Sequence, residues 1–214
     1  MAILQEISEW LQRGRAPKVK ELVAQALEEG VKPQSILEDA LLAGMSVVGE
    51  KFRKNEVFVP EVLVAARAMN AGVDILRPYL IAEGITTKGT AVLGTVKGDL
   101  HDIGKNIVKM MLEGKGLTVI DLGVDVPAET FIEKAIEHKA DVICCSALLT
   151  TTMPEMKAVV EKAQAAGIRE QVKIMVGGAP VSQAFCDEIG ADYYTPDGAS
   201  AAEVALKVCL KEEI

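Results

Sequence analysis

The chain has 214 residues, half of them hydrophobic and only 4% aromatic, with a formal net charge of −8. Without a basic stripe or Lys/Arg cluster, that charge excludes a nucleic-acid partner. No apolar run reaches the roughly 18–20 uncharged residues of a membrane span, and Met1-Ala2-Ile3-Leu4-Gln5-Glu6 has neither the basic start nor the apolar core of a signal peptide.

Residues 1–86 carry helical periodicity alone. Leu4, Ile7, Trp10 and Leu11 mark a first short helix, and Val19, Leu22, Val23, Ala26 and Leu27 a second, ending near Gly30. Pro33 stands where a helix can begin without losing a needed amide, ahead of Ile36, Leu37, Ala40, Leu41, Val47, Val48 and Phe52. A fourth helix begins near Pro60 and runs through Val62, Leu63, Ala66, Met69, Val73, Leu76 and Leu80. Four such helices predict a small bundle. Opposite the apolar stripe of the fourth lie Ala65, Ala68 and Gly72, small enough to let something approach closely. Glu83–Gly89 reads as a polar linker, dividing the chain into domains 1–86 and 87–214.

Beyond it the rhythm alternates. Strand-like runs at Ala91–Val96, Leu117–Asp121, Asp141–Ser146, Val172–Val176 and Asp192–Tyr194 are separated by helical patterns, with a last helix at Ala199–Leu210. This predicts a parallel sheet covered on both faces, in the flavodoxin-like order 2-1-3-4-5, with its switch point between the first and third strands. Cys144, Cys145, Cys186 and Cys209 form no Cys-x-x-Cys pair and read as buried, reduced thiols of a cytoplasmic protein.

The loop after the first strand is Gly98-Asp99-Leu100-His101-Asp102-Ile103-Gly104-Lys105-Asn106. A lone histidine in such a loop is ordinarily a surface residue. Here, however, Ser146–Thr152 follows the third strand, and the two loops should face each other across the crevice where open α/β sheets hold ligands. Gly177-Gly178 and Thr195–Ser200 follow the fourth and fifth strands along the same edge. His138, among charges near a helix end, reads as a solvated surface histidine.

The Asp-x-His-x-x-Gly signature at Asp99–Gly104, within Thr95–Val108, resembles the cobalamin domain of cobalamin-dependent methionine synthase. It equally resembles the small corrinoid proteins of methanol, methylamine and methoxyaromatic methyltransferase systems. Asp121–Pro127 matches a second family segment, and Phe58-Val59-Pro60-Glu61-Val62 with the helix after it resembles the cap over the upper corrin face. The resemblance implies an α/β protein: an N-terminal four-helix bundle cap, then a five-stranded parallel, flavodoxin-like (Rossmann-type) cobalamin-binding domain. A cap plus one cobalamin domain is similar to the stand-alone methyl carriers, components of a methyltransferase system rather than complete enzymes.

The resemblance also implies roles. Cobalamin is bound base-off, His-on, with His101 replacing the cofactor's own base beneath cobalt, Asp99 fixing the imidazole tautomer and Thr152 extending the chain of hydrogen bonds where relatives carry serine. Contacts to the cofactor fall on Gly98, Asp99, His101, Asp102, Ile103, Gly104, Ser146, Leu148, Thr150, Gly177, Gly178, Gly198 and Ala199, and Phe58 and Val62 shield the upper face. Implied partners are a substrate-specific methyltransferase, a second methyltransferase acting on tetrahydrofolate or a thiol coenzyme, and a reductive activation protein. Two other readings are the cobalamin subunit of a carbon-skeleton mutase, which generally lacks such a cap, and a cobalamin-sensing regulator, which needs a DNA-binding element absent here. The methyl donor is not legible.

Overall fold

The computed structural model describes residues 2–83 and 87–213, apart from the Ile81 side chain. Gly84, Ile85 and Thr86 of the expected linker lie outside the described residues. The chain divides into two compact units: the residues through Thr87 together with Gly114–Gly116, and Lys88–Glu113 together with Leu117 onward.

The first unit is helical. α1 spans Ala2–Gln12 and α2 spans Ala16–Glu28, with Pro17 in the first turn of α2, where its missing amide costs nothing. A third helix, α3, runs on through Pro33–Ser35, Ile36–Leu42 and Ala43–Arg53, and its middle stretch is wound in wide π turns. α4 spans Val59–Ala82. Ile7, Leu11, Val23, Ile36, Leu41 and Leu76 are fully buried in this unit's interior. The small stripe on α4 has an internal explanation at Gly72. A Cβ there would stand 3.0 Å from a Leu41 methyl and 3.2 Å from a Val19 methyl, so the residue that approaches closely is a neighbour in the same bundle.

The second unit alternates β1 (Thr90–Thr95), α5 (Ile103–Glu113), β2 (Thr118–Asp121), α6 (Ala128–His138), β3 (Val142–Ser146), α7 (Pro154–Ala165), β4 (Lys173–Gly177), α8 (Gln183–Ile189), β5 (Tyr193–Tyr194) and α9 (Gly198–Leu210). The strands form one parallel sheet in the order β2-β1-β3-β4-β5. That is the order expected from the alternation. β1 pairs with β3 so that Thr95 stands opposite Ser146, and β3 pairs with β4 so that Ser146 stands opposite Gly177. Phe131, Ile143, Met156 and Ile174 fill the core, and Gly94 lacks a side chain because a Cβ would press to 2.8 Å from the Phe131 ring. Truncating Phe131 to alanine would cost about 3–5 kcal/mol. The four thiols are free, and burial pushes Cys144 up to about 12 and raises Cys145 as well, which keeps both protonated and inert.

This topology positions the site. The chain leaves β1 toward β2 on one side and leaves β3 toward β4 on the other, so the loops after β1 and β3 diverge and open a crevice at the strands' carboxyl ends.

Candidate functional site

Asp99 is the centre of the crevice. It is fully buried, and both carboxylate oxygens accept hydrogen bonds. Oδ1 takes the backbone amide of His101 at 3.1 Å and lies 2.7 Å from the His101 Nδ1. Oδ2 takes the Leu148 amide at 2.8 Å, the Leu149 amide at 3.2 Å and the Thr152 hydroxyl at 2.8 Å. Burial alone would raise the pKa of this group. The bonds from the Leu148 amide, His101 and Thr152 outweigh it and hold the carboxyl far below the usual carboxylate range. Asp99 is therefore a fixed anion that ties the β1 loop to the β3 loop.

An anionic acceptor on Nδ1 sets the tautomer of His101: the proton sits on Nδ1 and Nε2 carries a lone pair. The imidazole is 50% exposed, so that lone pair faces outward from a buried support. The backbone is held too. Thr95, itself buried, donates its hydroxyl to the His101 carbonyl at 2.9 Å. The segment after β2 runs beside the loop, with the Asp125 amide donating to the Asp99 carbonyl at 2.9 Å and the Asp125 carboxylate accepting from the Gly98 amide at 2.7 Å. At the root of α5, Lys105 is 2% exposed and donates to Asp121 at 2.7 Å and Asn106 at 2.8 Å, and Lys109 reaches the other Asp121 oxygen at 3.2 Å.

The structure thus joins Asp99, His101, Leu148 and Thr152 in one hydrogen-bonded group. Asp102 immediately precedes α5, where its carbonyl takes the Asn106 amide and its carboxylate the Asn106 side chain. Leu100 (72% exposed), Ile103 (71%) and Leu148 (44%) are exposed apolar side chains on the same two loops and the start of α5. Ser146 is half-buried and Thr150 exposed on the loop beyond it.

The glycines have different reasons. Gly178, at φ +136°, has no room for a side chain because a Cβ would overlap the Ala147 carbonyl oxygen. A Cβ on Gly177 would stand 3.2 Å from the Thr195 carbonyl oxygen, and one on Gly198 3.1 Å from an Ile107 methyl. These three are explained by packing between neighbouring loops and helices, and Ala199 beside Gly198 is buried in the same way. Gly104 differs. It lies in the first turn of α5 with nothing within 4 Å of a Cβ among the described residues, so none of their atoms demands a glycine there.

In the helical unit, Phe58 precedes α4 with 64% exposure and its amide is taken by Glu61 at 3.1 Å, whereas Val62 is fully buried. The two do not present a common exposed face. His138 ends α6 beside Glu137, 3.6 Å away.

Sequence reading singled out Asp99, His101 and Thr152 and missed Thr95, Lys105 and Asp125 as parts of the site. The signal for Asp125 was its place in Asp121–Pro127, a segment noticed without a role.

Family models described as a B12 binding domain match residues 89–206 and, separately, residues 3–77. The chain belongs to the B12-binding corrinoid proteins. It is 50% identical over 190 residues to trimethylamine corrinoid protein 1 of Methanosarcina mazei, covering 88% of this chain and 87% of that one. A corrinoid protein of Desulfitobacterium hafniense is 41% identical over 211 residues, with 97% and 98% covered. Among solved structures, a chain of the methanol:cobalamin methyltransferase complex MtaBC from Methanosarcina barkeri superposes with a TM-score of 0.88 at 33% identity, covering 98% of this chain and 80% of that one.

The residues of this corrinoid protein fit cobalamin. Among the described residues, no cluster of three or more His, Cys, Asp or Glu side chains could hold a metal ion. The exposed apolar rim of Leu100, Ile103 and Leu148 suits a broad, mostly hydrocarbon macrocycle, and the unfilled space at Gly104 leaves room for it. Among the described residues, no helix is long and apolar enough to cross a membrane.

Proposed function

We propose that this protein carries a methyl group on cobalt between two methyltransferases in the cytoplasm, with cobalamin held base-off and His101 Nε2 as the lower axial ligand. The observation that carries this reading is the 2.7 Å contact between buried Asp99 and His101 Nδ1, which commits one ring nitrogen and turns the other outward. When bound, the corrinoid supplies a cobalt centre able to accept and release a methyl group. The chain's own residues do the rest. His101 would offer the Nε2 lone pair, and Asp99 keeps the Nδ1 proton in place and fixes the ring's orientation. Thr152 holds the far oxygen of Asp99, so the carboxylate cannot turn away from the ring.

The donor is proposed to be a methylated amine, since relatives at 50% and 45% identity are named trimethylamine and dimethylamine corrinoid proteins. Partners follow from that role: an amine-specific methyltransferase, a second methyltransferase acting on tetrahydrofolate or a thiol coenzyme, and a reductive activation protein. The test is to isolate bound methyltransferases by affinity capture on the cobalamin-loaded protein. Isotopically labelled trimethylamine, dimethylamine and methanol are then supplied in turn. The reading predicts label on the protein-bound corrinoid with an amine, and transfer of label from methanol alone would contradict the donor assignment.

A further inference from the structure

We infer that Asp125 is a positioning residue for the cobalt-ligating histidine, acting on the loop that presents it; this rests on the reading of His101 as axial ligand. Three observations meet at this residue. Its amide donates to the Asp99 carbonyl at 2.9 Å, and its carboxylate accepts from the Gly98 amide at 2.7 Å, so it grips both residues of the turn that precedes the ligand. Its backbone is left-handed, at φ +53°, a conformation that residues other than glycine adopt at a cost. That conformation turns its main-chain and side-chain groups toward the same loop. The flanking backbone is stitched to the end of β1, with the Thr95 amide on the Gly123 carbonyl and the Val126 amide on the Thr95 carbonyl, both at 3.0 Å.

A turn residue with only a local duty would bond within its own turn. Asp125 bonds instead across to a loop more than twenty residues earlier in the chain, at the two positions that set where the His101 ring starts. Gly98 also has a left-handed backbone, at φ +80°, so the contact joins two left-handed residues from separate segments. Loss of the Asp125 carboxylate leaves the Gly98 amide without its acceptor and lets the β1 loop shift. Asp99 Oδ2 stays held by the β3 loop, so the backbone that carries His101 shifts relative to its carboxylate support. The expected effect is on the geometry of Nε2 rather than on its basicity.

The test uses the full-length protein reconstituted with hydroxocobalamin and reduced to Co(II). Asp125→Gly removes the carboxylate while permitting the left-handed backbone, and Asp125→Asn keeps an acceptor oxygen at the same place. Electron paramagnetic resonance reports the ratio of histidine-bound to histidine-free cobalt through nitrogen coupling. The inference predicts that Asp125→Gly lowers that ratio by about tenfold, within the range typical of groups that orient a metal ligand. Asp125→Asn should restore it, and both variants should keep wild-type circular dichroism and retain the corrinoid. Ser182→Ala, which removes the cap of α8 far along the chain, controls for general destabilisation. A wild-type ratio in Asp125→Gly, or an equal loss in Ser182→Ala, overturns the inference. A wild-type protein without histidine nitrogen coupling removes the axial-ligand reading beneath it, which is a separate and distinguishable failure.

Discussion

Asp99 Oδ1 and His101 Nδ1 stand 2.7 Å apart, yet one residue is fully buried and the other half exposed. The pair spans the boundary between protein interior and ligand surface across two residues of sequence. A carboxylate held in that way fixes the orientation of a ring that solvent can reach.

The first prediction concerns acid. The folded protein holds the Asp99 carboxyl below its ordinary range, so the unfolded chain binds a proton at higher pH than the folded one. The stabilising contribution is then complete above the unfolded pKa near 3.9 and is lost as pH falls through the lower folded value. In urea titrations, wild-type stability should fall more steeply than that of Asp99→Asn between about pH 5 and pH 3. Parallel pH curves would show that Asp99 titrates alike in both states.

Thr152→Val removes one donor to a buried anion while keeping the side chain's shape. Hydrogen bonds to charged groups are worth about 1.5–3 kcal/mol, so thermal or urea unfolding should show a loss of that size. Thr152→Ser should recover most of it. A loss of only about 1 kcal/mol in the valine variant would mean that the hydroxyl's other neighbour, the Leu149 carbonyl at 2.9 Å, holds its proton instead, and no loss at all would contradict the prediction.

Gly104 and Gly178 should answer opposite tests. Gly104→Ala places a methyl in open space in the first turn of α5, which should stabilise the cofactor-free protein by up to about 1 kcal/mol. Under the proposed reading, in which the cofactor lies against Gly104, the same methyl should weaken cobalamin binding measured by absorbance titration. Gly178→Ala should destabilise the protein whether or not cobalamin is present, since its methyl overlaps the Ala147 carbonyl. If Gly104→Ala bound cobalamin as tightly as wild type, the space at α5 would not be part of the binding surface.

Most of the second unit was legible because its code is local. Short β-rich runs alternating with amphipathic helices admit few topologies, and the 2-1-3-4-5 order follows from right-handed crossovers on both sides of β1. Asp99 and His101 were legible because they are two residues apart in a motif. Thr95 and Asp125 were not. A buried threonine hydroxyl on a carbonyl and an aspartate with positive φ leave no trace in residue type or spacing. The π turns at Ile36–Leu42 were equally hidden, since Ile36, Ala40 and Leu41 repeat as they would on an ordinary helix. The purpose of Gly72, Gly177 and Gly198 depends on side chains and backbone distant in sequence, which only the packed structure brings against them.

The measurement closest to the central claim is electron paramagnetic resonance of the Co(II) form, comparing protein grown with ¹⁴N-histidine and with ¹⁵N-histidine. If His101 Nε2 is the lower ligand, the axial nitrogen coupling changes with the isotope in the wild type and is absent from His101→Ala. A coupling that is indifferent to the label, or that persists unchanged in His101→Ala, would contradict the account.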